Sequence, residues 1–123
     1  MADYKYSDIT EQIIGASMRV HSYLGNGFPE KIYQNCVEIE FRELGLHYAI
    51  EIEMDVFYKD ERVGGRRADF IIEEKVLVEL KAVGEITNAH YAQVLNYLKA
   101  YKMEVGLLIN FGEESLQFKR FVL

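Results

Sequence analysis

Between Ser7 and Leu24 apolar side chains recur at helical spacing: Ile9, Ile13, Ile14, Ala16, Met18, Val20 and Leu24 include an i, i+4 stripe. Ser7 or Asp8 can cap its start, and Gly25-Asn26-Gly27 stops it. Pro29 suits the first position of a second helix over 29–45, which carries Ile32, Tyr33, Cys36, Val37, Ile39 and Phe41. From Leu46 the period changes to two. Ile50, Ile52, Met54 and Val56 alternate with Glu51, Glu53, Asp55 and Phe57, which predicts a half-exposed strand ending at Tyr58. Lys59-Asp60-Glu61 forms a turn, Gly64-Gly65 a bend or bulge, and two apolar strands follow at 66–73 and 75–82. A third helix over 85–102 is expected to bury Ala89, Ala92, Val94, Leu95, Leu98 and Tyr101. Two strands around VGLLINF and SLQFKRFVL close the chain. This order predicts one α/β or α+β domain over residues 1–123, a central mixed sheet with helices on both faces.

Composition narrows the setting. The chain has 123 residues, enough for one modest core, and a single cysteine, Cys36, which excludes an internal disulfide framework. MADYKYSDITEQ has neither a basic nor an apolar leader region, and no apolar run approaches the roughly 20 residues of a membrane span. A cytoplasmic protein without membrane contact is expected. Its net charge of −6 argues against general, nonspecific nucleic-acid binding, but leaves room for a local basic patch.

The hairpin strands hold the candidate chemistry. A tight turn near Glu73-Glu74-Lys75 makes opposed residues sum to about 147 or 148, and at 148 Asp69 faces Glu79 and Ile71 faces Leu77. Opposed side chains on one face have Cβ atoms about 4.5–5.5 Å apart. Lys81 shares that face, whereas Ala68, Phe70, Ile72, Val76, Val78 and Leu80 make the other face apolar. Two carboxylates pressed together require a proton or a cation between them. Oxygen ligands suit Mg²⁺, and a neighbouring lysine can orient water or neutralise developing charge. A buried Asp–Lys or Glu–Lys pair is the structural alternative. From spacing alone, the two readings are balanced.

Asp69 with Glu79-Leu80-Lys81 resembles the D…(D/E)xK signature of the PD-(D/E)XK nuclease superfamily, with Ala68 where a proline gives the motif its name. Gly27-Phe28-Pro29-Glu30-Lys31-Ile32-Tyr33 fits G-x-x-E-x-x-Y, and Gly106 to Gly112 spells GLLINFG. Together these runs resemble the GxxExxY proteins, a branch of that superfamily, over Ile9 to Val122. The resemblance implies a restriction-endonuclease-like fold and a nuclease dependent on Mg²⁺ or Mn²⁺. It implies Asp69, Glu79 and Glu30 as metal ligands, Glu30 directly or through water, and Lys81 as the catalytic lysine. Gln93 and Tyr97, one helical turn apart, resemble the Q-x-x-x-Y element of RecB-type nucleases. In that role Gln93 orients water or a phosphate oxygen and Tyr97 contacts substrate. Arg66 and Arg67, just before Asp69, suit bidentate phosphate contact.

The expected activity is phosphodiester hydrolysis in DNA, with RNA second. The competing expectation is a noncatalytic binding or regulatory module that keeps the nuclease fold. A homodimer is also expected, since a chain this small offers little surface for gripping a duplex.

Overall fold

Gly25 and Pro29 divide the helical N-terminal third into two helices, and every strand that follows joins one sheet. The computed structural model describes residues 5–123; residues 1–4, where the segment without leader features begins, lie outside the described residues. The elements are α1 (Ser7–Leu24), α2 (Glu30–Glu43), β1 (Tyr48–Tyr58), β2 (Glu61–Ile72), β3 (Val76–Lys81), α3 (Asn88–Tyr101), β4 (Val105–Asn110) and β5 (Gln117–Val122). The strands form one sheet in chain order, with β3 and β4 parallel and the other neighbours antiparallel. Among the described residues no helix is long and apolar enough to cross a membrane.

Two cores cover the sheet. Ile13, Val20, Tyr33, Val37 and Phe41 of α1 and α2 pack with Phe70, Ile72, Val78, Leu80, Leu107 and Ile109 on one face. Val94, Tyr97 and Leu98 of α3 pack with Ala68, Leu77, Leu108 and Phe121. The expected mixed sheet with helices on both faces is what the chain builds.

Several local expectations change. Tyr6, in a left-handed conformation with φ 57°, precedes α1 and makes no side-chain cap, so neither Ser7 nor Asp8 caps it. The third helix begins at Asn88, because His90 Nδ1 accepts the Thr87 N–H at 2.9 Å and closes its first turn. Ala89 and Ala92 are exposed. The α3 face that reaches the core is narrower than the sequence pattern implies. Gly64 and Gly65 stay within β2, and the register shift falls beside them, opposite Val56 and Phe57. Ala68 joins the α3 core, not the face of Phe70 and Ile72. Alternation is therefore broken next to Asp69.

Candidate active site

The hairpin turn fixes the register that brings the two carboxylates together. Glu73 and Glu74 adopt φ 54° and 59°, and β2 pairs with β3 as Phe70–Val78, Ile71–Leu77 and Ile72–Val76. Continuing one step sets Asp69 against Glu79, the opposition expected from the sequence. The backbone ladder stops at Phe70, however. Asp69 instead reaches across with its side chain, and Oδ2 accepts the Leu80 N–H at 2.7 Å. β3 continues against β4 as far as Lys81, which pairs with Asn110. The site thus lies where β2 parts from β3.

Glu79 is only 4% exposed, and its Oε1 has no hydrogen-bond partner. Burial, then the Asp69 charge and a hydrogen bond with Asp69, push its pKa up to about 10; Glu30 adds to the shift and Lys81 opposes it. At neutral pH Glu79 therefore carries a proton, and the Asp69–Glu79 pair holds one negative charge fewer than two free carboxylates.

Glu30 opens α2 and remains exposed to solvent. Its pKa is nonetheless raised, chiefly by desolvation, with Asp69 adding and Lys81 opposing. Glu30, Asp69, Glu79 and Lys81 therefore act electrostatically on one another. Among the described residues, no trio of His, Cys, Asp and Glu side chains is arranged to hold a metal ion. Of the neighbouring charges, the Asp69 carboxylate does most to raise the Glu79 pKa.

Gln93, Tyr97 and Arg66 line one cleft of about 520 Å³ between α3 and the β1–β2 arm, with Ala89, Ala92, Asn96 and Ala100 along it. Burial and the Glu79 charge raise the Tyr97 pKa, and Arg66 lowers it. Arg67 is exposed and ion-paired with Glu51 at 3.5 Å. Of the eight residues singled out from sequence, Arg67 is the one tied to Glu51.

The two outlying motifs meet in space. Tyr33 is fully buried; its hydroxyl donates to Gly25 O at 2.6 Å and accepts the Phe28 N–H at 3.2 Å. Its ring stacks on Phe111 with centroids 4.6 Å apart. Asn110, also fully buried, accepts the Val83 and Gly112 N–H groups and donates to Val83 O and Glu113 Oε2. Phe111 N–H bonds Lys81 O at 2.8 Å. GLLINFG therefore braces the backbone around Lys81, and Tyr33 ties the turn before Glu30 to the same brace. Sequence reasoning left Asn110 without a role, although a polar residue inside an apolar run was the available signal.

A family model of the PD-(D/E)XK nuclease superfamily matches residues 7–121. The chain belongs to the PD-(D/E)XK nuclease superfamily. Nucleases of this superfamily usually use divalent metals such as Mg²⁺. The crystal structure of SSO0001 shares the fold, with a TM-score of 0.61 at 16% identity over 95% of this chain. The match spans 59% of that longer chain. A comparison with curated proteins gives no match.

Proposed function

We propose that the chain is a metal-dependent nuclease of the GxxExxY branch, hydrolysing phosphodiester bonds in DNA in preference to RNA. The observation that carries the reading is Glu79: a buried carboxyl with an orphaned oxygen, pressed against Asp69 beside Lys81. A structural ion pair would leave neither a raised carboxyl pKa nor an unpartnered oxygen. The donor set fits a hard cation, because every donor is oxygen and the orphaned Oε1 lacks a ligand. Asp69 and Glu79 would hold Mg²⁺ or Mn²⁺, with Glu30 contributing through water. When bound, such a cation neutralises phosphate charge and lowers the pKa of attacking water.

The remaining work falls to the chain's own groups. Glu79 holds a proton in the free protein and must shed it to act as a ligand. Lys81 supplies positive charge for a phosphate oxygen and a donor that orients the attacking water. Gln93 and Tyr97 orient substrate from α3, while Arg66 and Arg67 bind flanking phosphates. A single domain working in the cytoplasm as a homodimer completes the reading, Cys36 being a free thiol. Light scattering that gave a monomer at high concentration would remove the dimer.

The test is cleavage of single- and double-stranded DNA with Mn²⁺ by wild type, Asp69→Ala and Lys81→Ala. Cleavage by wild type alone is expected. Activity surviving both substitutions would overturn the assignment and favour the noncatalytic module, which the net charge of −6 already suits.

A further inference from the structure

We infer that Tyr101 is a positioning residue: its hydroxyl, let into the ladder between β1 and β2, sets Asp69 toward Glu79. The inference rests on the nuclease reading above. Ile52 and Ala68 are opposed in the β1–β2 register. In an uninterrupted antiparallel ladder, a hydrogen-bonded pair of opposed residues exchanges N–H···O bonds directly, at about 2.9 Å. Here Ala68 N–H donates to Tyr101 Oη at 3.0 Å, and the hydroxyl donates in turn to Ile52 O. Arg66 O lies 3.3 Å from the same oxygen. A side chain from the last position of α3 has entered the sheet.

Both strands are irregular beside that oxygen. Glu51, adjacent to Ile52, has φ 49°, a conformation that a side chain bearing Cβ rarely adopts. Ala68 packs on the α3 side, although alternation from Phe70 would send it to the opposite face. Asp69 follows directly and bonds Leu80 N–H with its side chain. Regular pairing would also stand Glu51 opposite Asp69, with Cβ atoms about 5 Å apart. That would press a third carboxylate on the Asp69–Glu79 pair. The kink sends Glu51 away instead, to Lys31 Nζ at 2.9 Å and Arg67 at 3.5 Å. One inserted hydroxyl thus accompanies two results: Asp69 is aimed at β3, and Glu51 is cleared from it.

Tyr101→Phe keeps the ring and removes the oxygen. Calorimetric titration with Mn²⁺ should show affinity lower by about 10- to 100-fold, the usual cost of losing a group that orients a ligand. On DNA, kcat should fall while KM stays at the wild-type value, and the Ala68 amide should change its hydrogen-exchange rate. Wild-type Mn²⁺ affinity with wild-type kcat would overturn the inference, as would a loss confined to KM. Should neither protein cleave DNA, the nuclease reading falls, yet Mn²⁺ titration still judges Tyr101. Equal affinities, or no binding by wild type, would count against it. If the variant fails to fold, the wild-type NMR spectrum decides. A slowly exchanging Tyr101 hydroxyl proton supports the insertion, and a freely exchanging one overturns it.

Discussion

Replacing Glu79 by Gln should make the metal-free protein more stable, by an amount that depends on pH. The folded protein holds the Glu79 proton up to about pH 10, whereas the ordinary value of 4.5 applies once the chain unfolds. Between those values the unfolded chain binds fewer protons, so stability falls as pH rises. The contribution is intact below pH 4.5 and is lost progressively toward pH 10. The slope is about 1.4 kcal/mol per pH unit, which amounts to about 3 kcal/mol at pH 7. That magnitude holds for any folded value well above neutrality. Gln has almost the same shape, cannot ionise, and keeps an N–H donor for Asp69. The gap between variant and wild type should therefore be near zero at pH 4.5 and widen steadily above it. Urea denaturation of both proteins with chelator present, from about pH 5 to about pH 8, measures the gap directly. A gap independent of pH would refute the protonated-carboxyl argument. A variant clearly weaker at neutral pH would point to a structural Glu79–Lys81 pair, with Lys81 left unpartnered.

Mn²⁺ at about 100 times its Kd should stabilise wild type by about 2.7 kcal/mol, seen as a raised melting temperature, and Asp69→Ala should lose that shift. Gly112→Ala should destabilise the protein by about 1–3 kcal/mol or more. An added Cβ would lie 2.2 Å from Val83 O and 2.4 Å from Val83 N, so the backbone must move; an unchanged melting curve would contradict this. His90→Ala removes the acceptor of the Thr87 N–H at the start of α3 and should cost about 0.5–1 kcal/mol in urea denaturation.

The Asp69–Glu79 opposition was legible because it depends on two local quantities: the length of the turn at 73–75 and the period of two along each strand. The same applies to α1, whose span the apolar stripe and Gly25 delimit. What escaped was set by distant parts of the chain. Glu51 alternates normally in sequence, and its left-handed backbone arises only where Tyr101 meets β1 and β2. Ala68, whose N–H bonds the same hydroxyl, packs with the α3 core. Ala89 and Ala92 fit the helical stripe, yet α3 reaches the sheet mainly through Val94, Tyr97 and Leu98 and leaves them lining an open cleft. Periodicity identifies an apolar face without specifying how much of it a neighbour covers.

The stack of Tyr33 on Phe111 joins chain segments far apart in sequence, whereas Asp69 and Glu79 lie on one hairpin. Folding must therefore treat them differently. Closing the short hairpin costs little chain entropy, so the two carboxylates can meet early. Glu30 depends on α2, and the turn before α2 is tied to the brace around Lys81 only once the final strands are laid down. A ribosome-bound chain that has emerged only as far as β3 can close the hairpin but lacks the residues of that brace. On the proposed nuclease reading, competence for cation binding should consequently arrive in one late step, after β4 has delivered Asn110 and Phe111 to the end of β3.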